Sequence, residues 1–372
     1  MNTHLSCYCQ PIAEVGILGG QITQFQFKLS QPCQNIEIKQ LKVAILSENT
    51  DNKWEGLEIT TYHFDKIKQY LLVYVKKDIF CQKTKLLKFL EQEFKQQICH
   101  IQFNISFDLV VDKVHCTISN QQIKMQPIRV LEVEKFITST FDDLHYNLYQ
   151  PEPNNVKHPL IICLHGGGEG GMNGCHIIAD KMVTSFLQPI HQKQFDYPYI
   201  LAPQCPSYWL DEFKFKQNRY YGVRDYTDTL VNLVKEIIQK YNIDTSRVYV
   251  IGASMGGYQA LRLISCMPDL FCAGIICCPA KVPLSHQLDT LKHIPLWFIH
   301  SQLDDTVPIQ HTNAIVNYLQ SHNDNIEKTD YAKVIIQDRE IDPHCVFLDL
   351  YEDHISNKKL SVFQWLASQH KE

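Results

Sequence analysis

The chain has 372 residues, of which 45% are apolar, 11% aromatic and 20% charged, with a formal net charge of −5. This is ordinary globular usage, enough for about two domains with cores of their own, and it excludes a disordered chain. Acidic residues outnumber basic ones and no run of five Lys or Arg occurs, so the dense cationic face that displaces counterions from nucleic acid is missing and nucleic acid is not expected as a partner.

The fourteen cysteines include no Cys-x-x-Cys pair, which argues against zinc ribbons and thioredoxin-like motifs. Several, such as Cys163 in LIICLH and Cys277 in GIICCPA, lie in apolar runs, where a thiol behaves as a small buried hydrophobe. The first residues, MNTHLSCYCQPIAEVG, carry neither the basic nor the apolar region of a signal peptide. Apolar stretches reach about ten residues, against the roughly 20 of a membrane helix. The expectation is a cytoplasmic protein with free thiols and no membrane span.

Residues 1–130 read as a small β-rich domain. Ile101, Phe103, Ile105, Phe107 and Leu109 alternate with polar residues, as a strand with one wet face requires, and Phe25, Phe27 and Leu29, then Leu41, Val43 and Ile45, repeat the pattern. Several short strands in a row predict an antiparallel sandwich. Between them, Leu86, Leu87, Leu90 and Phe94 are spaced for an amphipathic helix over about 83–95. This region gathers no set of residues that catalysis would need. Shaping a pocket, mediating homo-oligomerisation and binding a glycan all remain open as its role.

From about residue 131 the texture changes. Strand-like runs at 160–164, 199–202, 248–251, 273–277, 296–300 and 346–351 alternate with helix-like ones, the clearest over 226–241. Near-continuous apolar strands separated by helices predict an α/β domain, residues 131–372, with a mostly parallel sheet covered on both faces. Chemistry in such sheets sits at the carboxyl ends of the strands.

Gly252-Ala-Ser254-Met-Gly256-Gly257 follows an apolar strand and opens an apolar helix. A Gly-x-Ser-x-Gly at that junction is a nucleophile elbow, whose turn demands small flanks and lifts the serine hydroxyl above the sheet. His165-Gly166-Gly167-Gly168-Glu169, after the strand ending at Leu164, suits an oxyanion-binding loop, because glycines let backbone N–H groups approach the substrate. In hydrolases with such an elbow one donor is the residue after the nucleophile, here Met255; Gly167 is the first choice for the other and Gly166 the second. A phosphate loop would want Gly-Lys-Ser/Thr, which is absent here.

The acid and base should follow the serine in that order. Asp304, in the loop after the strand 296–300, fits the acid, and Asp305 reads as a surface charge or helix cap. If 346–351 is the last strand, His354 follows it and is the candidate base, while His344 falls before it, at the wrong end of the sheet. His165 and His300, at strand ends, read as loop braces.

The stretch from about Phe141 onward resembles the esterase and predicted-peptidase family of the α/β-hydrolase superfamily, related to the phospholipase/carboxylesterase and polyhydroxybutyrate-depolymerase-like enzymes. The matching residues are Tyr149-Gln-Pro151, the run Pro159 to Glu169, Ala202-Pro-Gln-Cys-Pro206 with Trp209, Ile243 to Gly257, and Asp304-x-x-Val-Pro308. The resemblance implies Ser254 as nucleophile, Asp304 as acid and His354 as base, and some members carry an immunoglobulin-like N-terminal domain. Three positions depart from the family pattern: Gly170 replaces Arg after Glu169, Ser301 replaces Gly, and Asn357 stands where Trp usually follows the catalytic histidine.

The expected activity is therefore a serine carboxylesterase acting on small to medium acyl esters. Trp209 is a candidate pocket wall or core residue, and no metal or cofactor is implied. A peptidase or an acyltransferase would use the same triad, and a non-catalytic binding protein could keep the scaffold.

Overall fold

The computed structural model describes residues 5–357 and 359–371. The chain divides into two compact units: residues 1–88 with 97–134, and residues 89–96 with 135–372.

The period-two pattern of the first unit folds into two sheets. One contains Cys7–Gly16, Gly19–Leu29, Tyr70–Val75 and Ile59–Asp65, extended by Ile123–Met125 and Arg129–Val130; the other contains Val114–Ile118, Gln102–Val111, Ile36–Leu46 and Glu55–Gly56. Their apolar faces meet. The Phe25 ring lies 5.1 Å from Phe103 and the Phe27 ring 4.6 Å from Phe107, both edge-on, and all four are buried.

The helix expected over 83–95 does not form. Leu87–Leu90 and Lys95–Ile98 are short paired strands around a turn. The Leu86 N–H donates to the Gly20 carbonyl and its own carbonyl accepts from Cys99, so its backbone bonds run to neighbouring strands instead of along a helix. Phe94 has φ +48°, which no helix accommodates. A short apolar run fits either periodicity, and sheet pairing decided it. The tip, 89–96, packs with the second unit although its sequence lies inside the first.

The second unit is built on an eight-stranded sheet: β1 (Phe136–Phe141), β2 (Leu144–Tyr149), β3 (His158–Leu164), β4 (Tyr199–Gln204), β5 (Ile243–Ala253), β6 (Ala273–Cys277), β7 (Leu296–Ser301) and β8 (Ile326–Tyr331), in the spatial order β1-β2-β4-β3-β5-β6-β7-β8. β2 pairs antiparallel with β1 and β4, and every pairing from β4 to β8 is parallel. All seven residues of β3 are buried, as a strand covered on both faces requires. Helices α1 (Thr227–Lys240), α2 (Met255–Cys266) and α3 (Gln310–Gln320) bury apolar stripes, with Leu230, Leu233, Val234 and Ile237 on α1.

The expected strand at 346–351 is instead a helical segment. A 3₁₀ turn over Pro343–Val346 leads into α4 (Phe347–Tyr351), and the last parallel strand is β8. Asp342 caps the turn by accepting from the His344 N–H at 2.9 Å, and Pro343 occupies its first position, where its missing N–H costs nothing. The helix α5 (Val362–Ser368) closes the chain, capped by Ser361.

Candidate active site

The site is assembled at the carboxyl ends of β3, β5, β6 and β7. At the end of β5 the chain turns so sharply that Ser254 takes φ +56° and ψ −118°. A side chain has no room on either flank: a Cβ on Gly252 would fall 2.1 Å from the Gly256 carbonyl oxygen, and one on Gly256 would fall 1.9 Å from the Leu164 carbonyl oxygen. The Ser254 N–H donates to Cys277 O at 2.9 Å, and its carbonyl accepts from Ala280 at 3.0 Å, which ties the turn to the end of β6. Ser254 is thus held with its hydroxyl away from the sheet, and α2 begins at Met255.

His344 bridges Ser254 and the loop after β7. Its Nε2 lies 3.1 Å from Ser254 Oγ and its Nδ1 2.8 Å from Asp304 Oδ2. Asp304 is fully satisfied: Oδ1 accepts from the Thr306 and Val307 N–H groups at 3.0 and 2.8 Å, and Oδ2 lies 3.2 Å from His300 Nε2 as well. Burial alone would raise the Asp304 pKa, but the bonds from His300 and His344 hold it well below the ordinary carboxylate range. For His344, burial opposes the charged form, while the hydrogen-bonded Asp304 carboxylate favours it and raises its pKa well above the usual histidine value.

The histidine expected at the site, His354, is not there. It is mostly exposed, 3.9 Å from Asp349, in the turn beyond α4. His344, excluded by the strand assignment, takes the position because 346–351 is helical and the chain arrives from β8 through a hairpin (Val334–Ile336 with Arg339–Ile341) and the Asp342-Pro343 turn. Asp305 is exposed.

His165 and His300 do brace loops. His165 Nδ1 donates to Gly166 O at 2.6 Å and its Nε2 accepts from the Cys205 N–H at 2.9 Å; burial lowers its pKa to about 4, so it is neutral. His300 holds Thr312 and the Val307 carbonyl at 2.7 and 3.0 Å.

Of the oxyanion candidates, Met255 is the first residue of α2, where N–H groups lack helical partners. A Cβ on Gly166 would lie 3.8 Å from Ser254 Cβ and 3.1 Å from Glu169 Oε2, and the Glu169 carboxylate takes a hydrogen bond from the Gly166 backbone. Gly167 lies under Phe94 and Met255: a Cβ there would meet Phe94 Cε1 at 2.5 Å and Met255 Cε at 2.8 Å. Trp209 is 3% exposed, its ring 5.1 Å from that of His165, and it belongs to the core.

Glu169 and Asp180 are an acidic pair near His344. Burial raises Glu169 to about 7; burial and then Glu169 raise Asp180 to about 8. Cys278, Asp304 and His344 present possible metal-ligating atoms within 4.8 Å of one another, but the His344 and Asp304 atoms are already bonded to each other, and burial keeps the Cys278 thiol protonated.

A mostly parallel sheet in this strand order, with a strained serine turn after β5 and acid and histidine loops beyond it, is the α/β-hydrolase fold. The profile of the phospholipase/carboxylesterase family matches residues 151–340, about half of the chain, and the chain belongs to that family. It is 27% identical over 136 residues to feruloyl esterase B of Talaromyces funiculosus, covering 35% of each chain, and 31% identical over 136 residues to feruloyl esterase B of Talaromyces stipitatus, covering 34% of each. The match thus spans about a third of the length of these relatives. A crystal structure of a thermostable esterase superposes over 98% of this chain and 99% of its own with a TM-score of 0.79 at 21% identity, so the likeness of fold extends over the β-rich unit. Among the described residues no helix is long and apolar enough to cross a membrane.

Proposed function

We propose that the protein is a serine carboxylesterase that cleaves small to medium acyl esters through Ser254, His344 and Asp304. One observation carries this reading: a single imidazole lies within hydrogen-bond reach of the serine hydroxyl on one nitrogen and of a carboxylate on the other. Asp304 accepts the Nδ1–H, which fixes the tautomer with Nε2 free to take a proton, and it stabilises the imidazolium once formed.

Ser254 Oγ attacks the ester carbonyl as Nε2 removes its proton. The oxyanion is held by the N–H groups of Met255 and Gly167, each of which would contribute on the order of 10²-fold or more to the rate. The imidazolium then protonates the leaving alcohol, and a water activated by the same nitrogen releases the acid from Ser254. No step calls for a metal or cofactor. The fourteen free cysteines, ten of them buried, suit a reducing compartment such as the cytoplasm.

Hydrolysis of p-nitrophenyl esters from acetate to palmitate, with methyl ferulate included because of the feruloyl esterase matches, tests the reading. Turnover that disappears in Ser254→Ala, with folding unchanged by circular dichroism, is the expected result. Equal rates in the variant and the wild type would sink it.

A further inference from the structure

The segment Phe89–Gln96 is strapped onto the glycine loop of the candidate site. Gln96 donates its N–H to the Gly168 carbonyl at 2.6 Å, and Asn173 Nδ2 donates to the Gln96 carbonyl at 3.3 Å. Two phenols fix the turn from the other side: Tyr208 donates to Glu93 O at 2.9 Å, and Tyr220 donates to Glu91 O at 2.9 Å. These bonds hold Phe94 at φ +48°, a conformation that is strained for a bulky residue and persists only where the surroundings impose it.

The outcome is the placement of one ring. Phe94 packs against Phe213, Phe215 and Tyr220 at 4.9, 4.6 and 5.4 Å, and against Phe89 at 5.5 Å, so it is buttressed from behind. Its leading edge rests on Gly167 beside the Met255 side chain. Gly167 and Met255 are the two residues whose N–H groups would hold the oxyanion. The leaving alcohol has to lie toward His344 Nε2, which protonates it. A carbonyl oxygen turned to those N–H groups would bring the ester carbon beside the Phe94 edge, and the substituent not directed at His344 is the acyl group.

We propose that Phe94 is a specificity-determining residue that closes the acyl side of the site, admitting short acyl groups and excluding long ones. This rests on the esterase reading and on Gly167 as an oxyanion donor.

The test is the ratio of kcat/KM for p-nitrophenyl octanoate to that for the acetate, in wild type, Phe94→Ala, Phe94→Leu and Phe94→Trp, with melting curves for each. The ratio should rise about tenfold or more in Phe94→Ala, rise less in Phe94→Leu, and fall in Phe94→Trp. The ratio for acetate esters of octanol and ethanol should move less than twofold, because the alcohol lies on the other side. Phe94→Leu keeps an apolar wedge should the alanine variant fold poorly. Ser254-dependent turnover with an unchanged acyl ratio in folded variants, or a change seen only in the alcohol series, would overturn the role of Phe94 alone. Turnover independent of Ser254 would overturn the esterase reading and this proposal with it. A second readout is independent of chain length: Gly167→Ala puts a methyl into the Phe94 ring, so Phe94→Ala should restore activity lost in Gly167→Ala, and no recovery would count against the contact.

Discussion

His344 Nε2 lies 3.1 Å from Ser254 Oγ across 90 residues of chain, and the other nitrogen of the same ring lies 2.8 Å from Asp304. His354, only ten positions further on, faces solvent beside Asp349. If His344 is the base as proposed, His344→Ala should lower kcat by on the order of 10⁴ to 10⁶, as loss of a triad member does in serine hydrolases. His354→Ala should stay within about twofold of wild type. Steady-state kinetics on p-nitrophenyl acetate separates the two, and the opposite ranking would overturn the arrangement.

The reason the sequence pointed to His354 and not to His344, the histidine that lies beside Ser254, is physical. Val346-Phe-Leu-Asp-Leu-Tyr351 is a short apolar run, and such runs fit a buried strand or a buried helix equally well. Arbitration lay just upstream, in Asp342-Pro343: an aspartate that caps and a proline at the first position are a helix-start signal, and both act as such in the structure. The positions of Ser254, Asp304 and the glycine loop were legible because each follows a run of buried apolar strand residues whose end is unambiguous. The parallel sheet was legible for the same reason. Phe94 was not, because its contact with Gly167 joins residues 73 positions apart and its turn overrides a helical spacing that the sequence does carry.

The elbow glycines carry a steric prediction. A Cβ on Gly256 would stand 1.9 Å from the Leu164 carbonyl oxygen and 2.6 Å from that of His165, both backbone atoms that cannot swing aside. Gly256→Ala should be destabilising by on the order of 3 kcal/mol or more, or fail to fold, as overpacking against fixed atoms does. Gly174→Ala, where φ is +70° but nothing lies within 4 Å, should cost only the backbone strain, about 1 kcal/mol. Urea denaturation of both variants checks the ranking, and equal losses would contradict it.

The pH profile of the reaction should carry the mark of Asp304. The base works only when neutral, so kcat/KM should rise with pH through the His344 pKa. Because the neighbouring Asp304 carboxylate holds that pKa above the ordinary histidine value, the acid limb should lie above pH 6.5. Asp304→Asn removes the negative partner and permits the wrong tautomer. Residual activity should fall by about 10⁴, and what remains should show an acid limb displaced to lower pH. An acid limb at the same pH in both proteins would mean that Asp304 does not face the base.

The acidic pair beside the site links stability to pH in the opposite sense to a salt-bridged carboxylate. Burial raises Glu169 from 4.5 to about 7, and Asp180 from 3.8 to about 8. A raised folded-state pKa means that the native state holds more protons than the unfolded one across this interval, so the contribution of the pair is complete below about pH 4 and is lost as pH rises toward 8. Glu169→Gln keeps the shape and cannot ionise. Relative to wild type it should gain on the order of 2 kcal/mol, or roughly 4–8 °C in Tm, between pH 5 and pH 8.5. Asp180 should then titrate closer to its ordinary value, since Glu169 is the charge that helps to raise it. Melting curves at half-unit pH steps for wild type, Glu169→Gln and Asp180→Asn resolve this. Parallel Tm profiles for all three would show that neither carboxyl is held protonated by its surroundings, and the Glu169 bond to the Gly166 backbone would then be that of an ordinary ionised carboxylate steadying the glycine loop.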